Sequence, residues 1–268
     1  MNFGIIIIGD EILSGRREDK HLAKTIELLG ARGLQLAYAD YVGDAPERIT
    51  ATLQRAFACG DVVFSFGGIG ATPDDHTRQC AAAALQRPLA LHPEAKALIR
   101  ERMQDMAREK GQPYEPERDD NMHRLNMGVF PAGAQIIANP YNRIPGFSVG
   151  DVHFVPGFPV MAHPMIEALL DGRYAHLHGA QAQQERSVIV YGAMEATLTP
   201  LMIEIEAAHL GVKVFSLPSV DHPEHGRHIE LGVKGAASRA LPAYQALRHG
   251  LARYVDQLGP ELVRGTDA

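Results

Sequence analysis

The stretch Gly67-Gly68-Ile69-Gly70-Ala71-Thr72-Pro73-Asp74-Asp75-His76-Thr77 joins residue types that grip an anion to residue types that hold a cation. Glycines at 67, 68 and 70 lack a Cβ, so backbone N–H groups can approach an anion closely and positive φ carries no steric penalty. Thr72 as cap, Pro73 at the first helical position and acids in the first turn read as a helix start, the end of a helix that favours anions. Two carboxylates beside a bare phosphate would repel it, and a cation between them resolves the conflict. Asp75 is therefore a candidate metal ligand, with a capping-box-like helix start as its purely structural alternative.

A second acidic pair, Asp10-Glu11, comes after the apolar run Ile5–Ile8 and Gly9. Mg²⁺-like ions take one or two carboxylates and complete their shell with water and phosphate oxygens. The chemistry expected of both segments together is metal-assisted hydrolysis of a pyrophosphate. Gly67, Gly68 and Gly70, with Thr72 and Thr77, would hold the anion, while Asp75 with Asp10 or Glu11 would position a Mg²⁺, Mn²⁺ or Co²⁺ ion that polarises the phosphoryl group and activates water. Asn139 and Arg143 are candidates for nucleotide contact, with turn-forming or solvent-facing roles as alternatives.

Positioning these residues requires strands that end together. Ile5–Ile8 and Val62–Phe66 read as buried strands and Leu34–Tyr41 as an alternating one. Helical spacing covers Lys20–Leu29, Asp44–Phe57, Thr77–Leu85, Pro93–Lys110 and Met161–Leu170. A polar loop is expected up to Asn121, a turn-rich segment over 139–147, and a strand at Val152–Val155. Such alternation implies a three-layer α/β/α fold with a mostly parallel sheet, whose ligands gather beyond the carboxyl ends of the strands. Asp10, Glu11 and the glycine loop all fall at that edge.

Residues 171–184 shift to Gly, His, Ala and Gln and read as a linker. Beyond it, strands at 187–191, 212–217 and 228–233 and helices at 200–209 and 241–258 suggest a small α+β domain of the split β-α-β type. The expected domains are 1–172 and 184–268. The histidine-rich stretch 221–228 invites a zinc site, but its turn formers favour a solvated loop. His153 and His163 are expected simply to pack.

The 268 residues carry a formal net charge of −6 and no basic stripe with interleaved aromatics, which argues against a nucleic-acid partner. Cys59 and Cys80 have neither metal-type nor redox-type spacing, so disulfides are not expected and a reducing cytoplasm fits. The N-terminus lacks a basic region before its isoleucines, and no apolar run reaches membrane-spanning length.

Four motifs carry a family resemblance: Gly9-Asp10-Glu11-Ile12-Leu13-Ser14-Gly15, Gly67 to Thr77, Asn139-Pro140 with Pro145-Gly146, and Pro156-Gly157-Phe158-Pro159. In order and spacing, residues 3–170 resemble the molybdopterin-binding-like family of the MoaB/Mog-type molybdenum-cofactor proteins and the N-terminal part of competence/damage-inducible protein A. The C-terminal unit, including Gly192 to Glu195, resembles the segment C-terminal to this domain in the competence type. The Asp74-Asp75 pair and Ile69 are closer to that branch. The resemblance implies metal-dependent hydrolysis of ADP-ribose to AMP and ribose 5-phosphate, a nucleotide substrate bound in part by Asn139, Pro156 and Gly157, and a homo-oligomer. Its alternatives are molybdopterin binding or adenylyl transfer, and a non-catalytic nucleotide-binding module. The chain is expected to lack the nicotinamide-mononucleotide deamidase domain that some competence-type members add. Met161 stands where the competence pattern has glutamate.

Overall fold

The computed structural model describes residues 1–179 and 183–265. They divide into two units, one of residues 1–29 with 35–176 and one of residues 30–34 with 177–179 and 183–265. No described helix is long and apolar enough to cross a membrane.

The first unit begins with β1 (Phe3–Ile8), a short helix α1 (Asp10–Leu13), α2 (His21–Gly30), β2 (Leu36–Val42), α3 (Pro46–Cys59), β3 (Val62–Phe66) and α4 (Thr77–Leu85). It continues with β4 (Leu89–Leu91), α5 (Pro93–Glu109), α6 (Asp119–Leu125), β5 (Val129–Pro131), β6 (Gln135–Ile137), β7 (Gly146–Val149), β8 (Val152–Val155) and α7 (Pro159–Asp171). Six strands form one sheet in the order β2-β1-β3-β8-β7-β6. The first four run parallel, and β7 and β6 form antiparallel pairs.

Every residue of β1 and β3 is buried, as expected for central strands covered on both faces. Ile7 pairs with Phe66 and Phe66 with Val155, so β1, β3 and β8 end side by side. Their continuations, Gly9-Asp10-Glu11, Gly67 to Thr72 and Pro156-Gly157, must therefore share one edge. Because β7 is antiparallel to β8, the 139–145 loop that precedes it reaches the same edge. Phe147 and Phe154 stack at 4.3 Å between ring centres, and Phe130 joins at 4.6 Å from Phe147, anchoring the β7–β8 pair in the core.

Three local expectations change. Thr72–Asp75 is a turn and the helix begins only at Thr77, because the Asp75 carboxylate accepts both the N–H and the hydroxyl of Thr72 and closes the turn on itself. Pro73 thus occupies the second turn position, where its fixed φ is equally at home. The polar loop gives way to α6 at Asp119, where buried Asn121 donates to the Glu115 carbonyl at 2.7 Å. The turn-rich segment yields β7 from Gly146, whose absent side chain makes room for the Phe154 carbonyl.

The second unit contains β9 (Gln184–Val190), α8 (Glu195–Ala208), β10 (Lys213–His222), β11 (Gly226–Gly235), α9 (Ala237–Leu251) and β12 (Leu258–Arg264). Its sheet, in the order β10-β11-β9-β12, is antiparallel throughout. The expected final helix stops at Leu251, and the edge strand β12 comes after it; an edge is where a strand tolerates a proline such as Pro260. Of the expected linker, residues 180–182 lie outside the described residues.

Candidate functional site

A cleft of about 680 Å³ opens over the carboxyl ends of β1, β3 and β8. Its glycine loop cannot be built from other residues. At Gly67 (φ 95) a Cβ would stand 2.5 Å from the Ile8 carbonyl oxygen, and at Gly68 (φ 67) it would lie 2.1 Å from Thr77 Oγ1. Thr77 is fully buried: its hydroxyl donates to the Gly67 carbonyl at 3.0 Å and its N–H to the Gly68 carbonyl at 3.0 Å. It fixes the loop and does not line the cleft.

The loop leaves donors available. Gly67 N–H is held by the Val155 carbonyl at 3.1 Å and Thr72 N–H by Asp75 at 2.8 Å. Between them, the N–H groups of Gly68, Ile69, Gly70 and Ala71 have no acceptor among the described residues, and all four residues line the cleft. Ile69 is buried, Gly68 and Gly70 are half-buried and Ala71 is exposed, and a run of uncommitted backbone donors at a cleft suits an anion.

The acids are distributed differently from the sequence expectation. Asp10 does not line the cleft; its carboxylate turns to the 43–44 turn and accepts the Asp44 N–H at 3.2 Å, while Asp44 accepts the Asp10 N–H at 2.9 Å. Asp75 lines the cleft with one oxygen committed to Thr72. Glu11, Glu18, Asp19, Asp44 and Asp74 also line the cleft, and Glu11 and Asp74 are among the acids whose charge reaches Asp44. Burial, together with the charges of Asp10, Glu11 and Asp74, raises the Asp44 carboxyl above its ordinary range. Among the described residues, no three His, Cys, Asp or Glu side chains form a ready-made metal cage, and this includes the mutually adjacent rings of His222, His225 and His228.

Asn139 lines the cleft but organises its own loop. Its amide donates to Asn142 Oδ1 at 2.8 Å and the Ile144 carbonyl at 2.9 Å, and its oxygen accepts the Tyr141 N–H at 3.0 Å. Arg143 turns instead to Glu101 and Asp105 on α5, at 3.5 and 3.3 Å. Pro156, Gly157 and Met161 all line the cleft.

Residues 17–21 bring groups that lie outside the four sequence motifs. Arg17 lies over the Phe158 ring at 5.9 Å and 3.6 Å from Glu11, and Lys20 lines the cleft without an ion pair or hydrogen bond among the described residues. Asp19 caps α2 through the N–H groups of His21 and Leu22, at 2.8 and 3.1 Å. The buried His21 ring stacks on Phe66 at 4.3 Å and donates from Nε2 to the Gly157 carbonyl at 3.2 Å, leaving Nδ1 to accept from His163 at 3.2 Å. Burial holds the His21 pKa below its usual value, as this neutral arrangement requires. The signal in sequence was the charge run Arg16-Arg17-Glu18-Asp19-Lys20 immediately after the Gly9–Gly15 motif.

Comparison with known proteins places the first unit. Residues 4–176 match the family described as "Probable molybdopterin binding domain". A CinA-like protein of Syntrophotalea carbinolica is 32% identical over 73% of this chain and 46% of its own length. A protein of Pyrobaculum calidifontis is 31% identical over 84% of this chain and 85% of its own. The chain thus spans about half the length of the first of these relatives. The crystal structure of the protein CinA with unknown function from Thermoplasma acidophilum superposes with a TM-score of 0.54 at 27% identity, covering 64% of this chain and 98% of that one.

Proposed function

The chain belongs to the molybdopterin-binding-like family that includes the N-terminal part of CinA proteins, and on that premise we propose that its cleft hydrolyses the pyrophosphate of a nucleoside-diphosphate-linked sugar, ADP-ribose being the first candidate. The observation that carries this reading is the run of four unpartnered N–H groups at Gly68–Ala71, among the described residues, facing a cleft that also contains Glu11, Asp44 and Asp74. Donors of that kind favour a phosphate, and acids of that kind favour a cation bound with it.

The residues fit a Mg²⁺-like ion, which asks for only one or two carboxylates, and a cation beside Asp44 would offset the burial and the neighbouring negative charges that raise its carboxyl. Asp44 and Asp74 would hold the ion, with Glu11 and the uncommitted oxygen of Asp75 beside them. When bound, the ion supplies polarisation of the phosphoryl group and a more acidic water. The chain's own contribution is to hold one phosphate on the Gly68–Ala71 amides and the other with Lys20 and Arg17, whose charges oppose the build-up of negative charge. Met127, Ile144, Pro145 and Met161 supply an apolar lining suited to a base. His21 keeps the Gly157 segment in place through its carbonyl.

A second reading, molybdopterin binding, is favoured by the description of the matching family. A thermal-shift panel of ADP-ribose, NAD, FAD, ATP and molybdopterin, each with and without Mg²⁺, Mn²⁺ and Co²⁺, together with product analysis, separates the two. Cation-dependent release of AMP supports hydrolysis. Tight pterin binding without AMP release supports the second reading and overturns the first.

A further inference from the structure

A second pocket, of about 300 Å³, shares Ala71, Thr72 and Asp75 with the main cleft and is otherwise lined by Pro73, His76, Arg78 and Asn126 among others. Its volume is at the lower end of the range in which small-molecule sites fall. The unusual member is Arg78. It is 4% exposed, its Nη1 donates to the Asn126 carbonyl oxygen, and it makes no ion pair among the described residues.

A buried guanidinium has five donors and a full charge, and leaving such a charge without a counter-ion is costly. One carbonyl is a partner for one donor and does not neutralise the charge. The acid that exerts a field on Arg78 is Asp75, yet no carboxylate oxygen among the described residues reaches ion-pair distance, and Asp75 is held by the N–H and hydroxyl of Thr72. If the only task of residue 78 were to tie α4 to the end of α6, a neutral donor would serve without a buried charge. The fixed fork of arginine is the side chain best matched to a planar pair of phosphate or carboxylate oxygens. His76, on the same lining, offers a second donor.

We propose that this pocket is an oxyanion site, filled by a phosphate group for which Arg78 is the counter-ion. The site is separate from the proposed pyrophosphate cleft but adjoins it through the 71–75 turn. It does not depend on hydrolysis occurring there. Two sources carry the same group: free phosphate and a small phosphorylated sugar.

The test is thermal unfolding of the whole chain in phosphate-free buffer at constant ionic strength, titrated with inorganic phosphate and, separately, with ribose 5-phosphate. Wild type is expected to show a saturable rise of several degrees with at least one of them, and which one responds identifies the source. Because the main cleft also offers phosphate donors, the response is read in Lys20→Met, which removes a cation from that cleft: a saturable rise should persist there, Arg78→Gln added to it should abolish that rise, and His76→Ala should weaken it. No rise in wild type or in Lys20→Met, or a rise in Lys20→Met undiminished by adding Arg78→Gln, overturns the proposal. If the double variant does not fold, His76→Ala added to Lys20→Met decides: a weakened response supports the site and an unchanged one overturns it.

Discussion

Asp10 and Asp44 each accept the other's backbone N–H, at 2.9 Å to Asp44 Oδ2 and 3.2 Å to Asp10 Oδ1. This exchange locks the end of β1 to the turn after β2 and takes Asp10, which the sequence offers as a metal ligand, out of the cleft. Asp10 is a clasp facing away from the cleft, and Asp44 is the acid that the clasp holds at the cleft edge.

Asp44→Asn tests that division. The folded state raises the Asp44 pKa, so the folded chain holds more protons there than the unfolded chain. Stability from this group is greatest below the unfolded pKa and declines as pH rises through the folded one. At neutral pH the ionised carboxylate therefore works against folding, and an amide oxygen can still accept the Asp10 N–H. The variant should be at least as stable as wild type at pH 7 by denaturant titration, while its thermal response to Mn²⁺ or Co²⁺ is lost.

Gly68→Ala should destabilise the chain by about 1–3 kcal/mol, since it forces an L side chain into positive φ and against the Thr77 hydroxyl. Thr77→Val, which removes only the donor to the Gly67 carbonyl, should cost about 1 kcal/mol. Urea titrations of the two variants should rank them in that order.

Acid sensitivity should come from His153. Tyr174 donates to Asp151 at 2.8 Å and accepts from His153 Nε2 at 2.6 Å, leaving Nδ1 to accept from Ser148 at 2.7 Å, so the fully buried ring is neutral. Burial lowers its pKa to about 3. A lowered histidine pKa means that the unfolded chain binds the proton first, so stability is full above the unfolded value of ~6.5 and falls as pH drops from there toward the folded value. His153→Phe should be less stable at pH 7, because Ser148 and Tyr174 lose a partner, but should show a shallower decline as calorimetry is carried from neutral pH down into the acid range.

Lys20→Met should weaken binding of a phosphorylated ligand roughly tenfold or more, the usual worth of a hydrogen bond to a charged group, with little change in stability because Lys20 has no partner among the described residues. Calorimetric titration with ADP-ribose measures the first and thermal unfolding the second. An unchanged affinity would remove Lys20 from the site.

The parallel half of the sheet was legible because β1 and β3 are short, almost wholly apolar runs closed by glycine, and their ends bring the two acidic motifs to one edge. Strand β7 was not, because Gly146 comes after a run of turn formers and its pairing with β8 is a tertiary fact. At the site, the glycines were readable from their missing side chains. The direction of a carboxylate was not: Asp10 and Asp75 look like ligands in sequence, and only the fold shows the N–H groups that hold them. Lys20 and Arg17 were hidden in a charge run that reads equally well as a solvated helix start.

AMP release from ADP-ribose by wild type and Asp44→Asn tests most directly whether this cleft joins a phosphate cradle to a cation-binding acid set for hydrolysis. Wild type should release AMP with added Mg²⁺, Mn²⁺ or Co²⁺ and not in chelator, and folded Asp44→Asn should lose roughly tenfold or more of that rate, the scale on which one charged contact acts. Release that continues unchanged in chelator, or no release by wild type with any of the three cations, would contradict that function.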